Sequence, residues 1–160
     1  MAGKTSKALR IAAGSGIGYR AALNAQPSGG TGPHTAVLKE YSGTVPADAD
    51  ASIGSATLLC TYVNGATGLS LGGAADVGGQ IVMSKSVGET WTGTTVGAGG
   101  TPTFWRLTEA ADVPTDATAT YCRLQGTSGI GGSFDHTVSG AYAIGATNTW
   151  LSFDVTTATY

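Results

Sequence analysis

After residue 33, no stretch of this chain spaces its apolar residues with a sustained helical period. They come instead in short runs closed off by glycine, proline or Asn-Gly. A parallel α/β sheet needs a helical crossover of about a dozen or more residues between its strands, so this pattern argues against one. Antiparallel strands joined by turns remain. The runs are Ala36–Gly43 (AVLKEYSG), Ala56–Val63 (ATLLCTYV, then the turn pair Asn64-Gly65), Gly79–Ser86, Thr101–Glu109 (TPTFWRLTE), Ala119–Thr127 (ATYCRLQGT) and Asn148–Thr157 (NTWLSFDVTT). Alternation assigns faces within them. Thr103, Trp105 and Leu107 oppose Phe104 and Arg106. Cys122 and Leu124 oppose Tyr121 and Arg123. Leu151, Phe153 and Val155 point inward, with Trp150, Ser152 and Asp154 outward. The expected fold class is all-β: an antiparallel, jelly-roll-like β-sandwich over residues 34–160.

Residues 1–33 read differently, as an N-terminal arm followed by a Gly-rich linker. Lys4, Lys7, Arg10 and Arg20 supply four of the chain's 8 basic residues, which leaves four against all 10 acidic residues in the remainder. Ala, Leu and Arg favour helix, and Thr5 or Ser6 is placed to cap one. Gly14, Gly16 and Gly18 interrupt it, so short helical pieces are expected, Tyr19–Asn24 foremost. Gln26–Pro33 (QPSGGTGP) reads as the linker. An arm of this kind is expected to lie outside the sandwich core. Lys7, Leu9, Arg10, Ile11, Ile17, Arg20 and Leu23 would then be its partner-binding residues, through charge steering and apolar contact.

Charge limits what such a domain can do. Only 11% of the 160 residues are Asp, Glu, Lys or Arg, against roughly a quarter in an average soluble domain. A net charge of −2 provides no basic field for nucleic acid or anionic lipid. No run reaches the ~18 apolar residues of a membrane span. "IAAGSGIG" after Lys4, Lys7 and Arg10 is too short and too broken by glycine for a signal peptide, so a cytoplasmic site of synthesis is expected. Two cysteines are too few for a disulfide scaffold; Cys60 and Cys122, both in apolar runs, are expected buried and reduced.

The constellations that could carry chemistry are thin. "LRIAAGSGIGY" starts like a dinucleotide loop with Gly14 and Gly16, but Tyr19 stands at the third glycine position and no βαβ unit follows. His34 lies in the linker, and His136, next to Asp135, reads as an exposed loop histidine with no Gly-x-Ser-x-Gly elbow to serve. Asp48 with Asp50, and Asp112 with Asp116, fall in polar turns without a calcium-loop spacing, and read as solvated. Trp91, Trp105, Trp150 and Phe104 could stack sugars or pack a core, and packing is the expectation. No cofactor, metal or catalytic residue is expected.

Four segments in order resemble a family of small virion structural proteins of tailed bacteriophages: Leu38–Leu59 with Tyr41-Ser42-Gly43 and Pro46, Gly99–Asp112 with Gly100-Thr101 and Phe104-Trp105-Arg106, Arg123–Gly132 with Gly126-Thr127 and Gly129, and Ala143–Thr157 with Gly145, Ser152-Phe153 and Val155-Thr156. Glu40 departs from that family's apolar residue, and Phe-Trp-Arg replaces its usual Trp-Phe-Arg. The resemblance implies a non-enzymatic virion component, first of all a capsid decoration or cement protein. It would bind the major capsid protein or other virion proteins, as a homo-oligomer, in the virion and in the host cytoplasm during assembly. A neck or tail position, or a carbohydrate-binding sandwich in a host-recognition fibre, are the alternatives. A hydrolase ranks below them.

Overall fold

The computed structural model describes residues 4–14, 19–24, 35–77, 80–115, 117 and 121–157. In chain order the elements are β1 (Lys4–Thr5), α1 (Lys7–Gly14), α2 (Tyr19–Leu23), β2 (Ala36–Ser42), β3 (Thr57–Tyr62), β4 (Leu71–Val77), β5 (Gln80–Lys85), β6 (Trp91–Thr94), β7 (Phe104–Glu109), β8 (Leu124–Ile130), β9 (His136–Val138), β10 (Thr147–Trp150) and β11 (Asp154–Thr157). The fold is all-β with a short helical N-terminal part, as the glycine-punctuated runs require.

The larger sheet runs β1-β8-β7-β2-β3, and β9 joins the edge of β8 beyond the end of β1. Every pairing is antiparallel except β8–β9. Bridges Cys60–Thr95 and Val63–Thr92 tie β3 to the β6–β10 pair, so the sheet continues round to β10. A three-stranded sheet, β11-β5-β4, covers its inner face.

Between the sheets lies the main core. Leu38, Tyr62, Trp105, Leu107 and Leu124 meet Leu71, Met83 and Val155, and Trp91, Trp150 and Phe153 fill the centre. Trp105 contacts both Trp150 and Phe153 edge-on, with ring centroids 6.3 and 5.2 Å apart. Gly126 pairs with Trp105 across β7–β8, and the indole lies where a Cβ at 126 would stand, which requires glycine there.

The outer face of the larger sheet is covered as well. Tyr41 stacks on Phe104 at 4.9 Å, against Ile53 of the 43–56 loop. Arg106 and Gln125 hold that loop by its carbonyls, through Ala51 O at 2.7 Å and Pro46 O at 3.0 Å.

Several sequence expectations need correction. The arm is not outside the core: β1 pairs with β8, and Leu9, Ala12, Ala22 and Leu23 belong to the main core. Ser6 caps α1 by accepting from the Leu9 N–H at 3.1 Å, and its own N–H donates to Arg123 O. The expected single strand Asn148–Thr157 is two. The chain leaves β6 after Trp150 and joins β5 at Asp154, and the irregular 151–153 segment shifts the alternation by one residue. Trp150 therefore points inward and Leu151 outward, 84% exposed, while Phe153 and Val155 stay inward as expected. Of the strand expected over Ala119–Thr127, the described residues 121–123 are not strand and β8 begins at Leu124; Arg123 is buried because the 43–56 loop covers its face of the sheet. Asp112 is buried too, bonded to Arg123, rather than solvated. Cys60 is buried, Cys122 half-buried, and both are free thiols. The linker 26–33, His34 and Asp116 lie outside the described residues.

Candidate functional site

The inward row of β2 is Ala36, Leu38 and Glu40, so alternation drives a carboxylate into the end of the core. Its register partners are Trp105 on β7 and Cys60 on β3. An isolated ion there would cost several kcal/mol, so partners are obligatory. Four residues supply them. Oε1 accepts from Ser128 Oγ at 2.8 Å and from His136 Nδ1 at 3.0 Å. Oε2 faces Tyr142 Oη at 2.6 Å and Tyr62 Oη at 2.9 Å. The two phenols also lie 2.8 Å apart, so two hydroxyl protons serve three contacts.

Burial alone pushes the Glu40 pKa up, but the bonds from His136, Tyr142 and Ser128 and the charge of His136 together hold it below the ordinary carboxylate value. Burial, then the Glu40 charge, pushes both tyrosines well above theirs, which keeps them protonated as donors. With Glu40 ionised, the His136 proton belongs on Nδ1. Its ring stacks on Trp150, centroids 3.5 Å apart and 18° between planes. Its side chain is 20% exposed, and Nε2 makes no hydrogen bond among the described residues.

His136, Tyr142 and Trp150 stand at a groove of about 780 Å³. One wall is Asp135–Ser139, which contains β9. The other is Thr147–Asp154, which contains β10 and the irregular segment.

His136 is thus not the exposed loop histidine expected. It is held by a carboxylate as the base of a hydrolase triad would be, but no serine or cysteine is bonded to Nε2, and the nearby Ser128 hydroxyl is turned to Glu40. No group of three or more His, Cys, Asp or Glu side chains suited to a metal occurs among the described residues. Trp91, Trp105 and Trp150 are all buried, so none presents a face to a sugar.

The expected partner-binding residues divide. Lys7, Arg10, Ile11 and Arg20 are exposed on the helices. Leu9 and Leu23 are consumed by the chain's own core and offer nothing to a partner as placed. Ile17 lies outside the described residues. Sequence reasoning missed Tyr62, Ser128 and Tyr142, which surround Glu40 from three separate segments. The available signal was Glu40 itself, a carboxylate in the apolar row of a strand.

Among the described residues, no helix is long and apolar enough to cross a membrane. Comparison of the chain with protein-family models, curated proteins and solved structures finds no match.

Proposed function

We propose that this chain is a non-enzymatic structural component of a bacteriophage virion, of the capsid-decoration or cement kind, attached to an assembled shell. The observation that carries this reading is where the charge goes. Every cation beyond residue 34 is turned to internal bonding. Lys39 donates to Asp112 O, Lys85 to Glu89 O, Arg106 to Gln125 and Ala51 O, and Arg123 to Asp112. Glu40 and Asp112 are buried, and Glu89 bonds Ser70 and Trp91. The described surface left over beyond residue 34 carries few charges, with Asp48, Asp76 and Asp154 the exposed ones, and it presents Val87, Ile144 and Leu151, which are 104%, 68% and 84% exposed. Such a surface has little charge repulsion to oppose association with protein. The order of the four phage-like segments supports the same reading.

A cement protein stabilises a shell by mass action, because it binds the assembled lattice and not free subunits. The test is position and copy number in intact particles, by cryo-electron microscopy with quantitative mass spectrometry. Hundreds of copies spread over the shell is the expected result. About six or twelve copies at one vertex, as cyclic symmetry would impose there, assigns it instead to the neck or tail. Absence from purified particles overturns the reading.

A further inference from the structure

The groove lies between two strand edges that lack partners among the described residues. β9 pairs only with β8, and β10 only with β6. From β9 the strands follow one another through β8, β7, β2, β3 and β6 to β10, so these are the two ends of one wrapped sheet. Both ends line the same groove, and the inward rings of His136 and Trp150 close its floor by stacking.

An open strand edge presents unpaired N–H and C=O groups, and proteins usually blunt one with lysine, proline or a covering element. Both edges here are short, three and four residues, but neither carries lysine or proline: β9 is His-Thr-Val and β10 Thr-Asn-Thr-Trp. The groove lining contains Asp135 and Asp154 and no lysine or arginine. Asp135 Oδ2 is committed to Thr127, but Asp154 is exposed.

We propose that this groove is a strand-addition slot, which takes one extended, lysine- or arginine-bearing segment of a partner protein between β9 and β10. Main-chain hydrogen bonds to the two edges would supply affinity, and the carboxylates at the rim would select a basic segment. The slot deepens the assembly reading by assigning its contact, and rests on it for the identity of the partner. Its chemistry is testable without particles, so failure of one is distinguishable from failure of the other.

The probes are three capped octapeptides added to the full-length, isotope-labelled protein. The first alternates threonine or lysine with valine (TVKVTVKV). The second has glutamate for lysine. The third is the lysine peptide with alternate amides methylated, which removes backbone donors and leaves the charge. The lysine peptide should shift the amide resonances of residues 136–138 and 147–150. It should bind at least about tenfold tighter than the glutamate peptide. Methylation should abolish binding, and Asp154→Asn should weaken the lysine peptide severalfold without changing the protein's melting temperature. No binding of the lysine peptide at about 1 mM overturns the proposal. So do shifts confined to other residues, equal affinity for both charges, or undiminished binding of the methylated peptide. If N-acetylchitotriose shifts the groove amides and the lysine peptide does not, the groove is a sugar site and the slot is refuted.

Discussion

The larger sheet buries a polar cluster on each face, and the two are built oppositely. On the outer face, Arg123 meets Asp112 at 2.5 and 2.9 Å, Thr108 bonds the same carboxylate, and carbonyls of the covering loops take the remaining guanidinium protons. The Arg123 charge is balanced by that of Asp112, Arg106 beside it is held by Gln125 and loop carbonyls, and loops lie on top. On the inner face, Glu40 is an anion held by Ser128, Tyr62, Tyr142 and a histidine whose ring reaches an open groove. The outer cluster clamps loops 43–56 and 110–115 to the sheet. The inner cluster sets the ends of three distant segments beside two unpaired strand edges. The contrast teaches that burial of charge has one structural requirement, satisfaction, yet can end either in a closed clamp or at a surface available to a partner.

The largest effect should come from breaking the clamp. Asp112→Ala leaves the Arg123 charge buried without its counterion and should cost about 3–5 kcal/mol in urea unfolding. A loss under about 1 kcal/mol would mean the loops relax and admit water, and would erase the distinction drawn between the two faces.

Next comes the N-terminal segment, which touches both regions, through Ser6 to Arg123 and through Leu9 to the inner core. Leu9→Ala should destabilise by about 2–5 kcal/mol as a buried large-to-small change. Lys7→Ala and Arg10→Ala, both exposed, should stay within about 0.5 kcal/mol. Equal, small effects in all three would restore the picture of a detached arm.

Glu40→Gln keeps the shape of the inner cluster but removes its charge and forces an amide NH₂ toward other donors. A cost of about 1–3 kcal/mol is expected, smaller than at Asp112 because no buried ion is stranded. The same residue predicts a pH dependence. Its pKa is lower folded than unfolded, so the unfolded chain binds the proton more tightly. The contribution of Glu40 is then constant from pH 7 down to about 4.3, the unfolded value, and falls as pH drops through the folded value. Stability of wild type relative to Glu40→Gln, measured by urea titration between pH 7 and 3, should shrink below about pH 4. A difference that grows on acidification would reverse the sign of the shift.

The smallest effect is on reactivity, and the two thiols report the two regions. Cys60 opposes Glu40 and is fully buried, and burial pushes its pKa to about 11. Cys122 adjoins Arg123 and is half-buried. At pH 8 an alkylating reagent should modify Cys122 first, with Cys60 protected until the protein unfolds. Reductant should leave the melting temperature unchanged, since the thiols are not joined. Faster reaction at Cys60 would show that the groove side opens more readily than the clamp.

Much of this architecture is legible in the sequence. Strands at Ala36–Ser42, Thr57–Tyr62, Gln80–Lys85 and Phe104–Glu109 fall inside the expected runs, because β-branched and aromatic residues between glycine turns leave the backbone few other choices. The strands β4, β6 and β9 were not legible. Gly72 and Gly73 dilute the first, and the other two have only four and three residues, too short for a period to show. The candidate site was legible only as an anomaly, Glu40 in an apolar row. Its partners at 62, 128, 136 and 142 are assembled by pairings that no local pattern encodes.

The sequence by itself determined the all-β class, the two opposed rows of β7, the helical N-terminal pieces and the scarcity of free charge. These follow from alternation, turn chemistry and composition, which act over a few residues. Tertiary structure alone decided which rows meet solvent. It buried Arg123 under a loop, carried Leu9 and Leu23 into the core, and exposed Leu151 by moving the chain from β6 to β5 between Trp150 and Asp154. Exposure is a property of what lies opposite a residue, and what lies opposite is set by contacts across the whole chain. For that reason a buried carboxylate and two unpaired edges could come to share one groove although they are written in separate parts of the sequence.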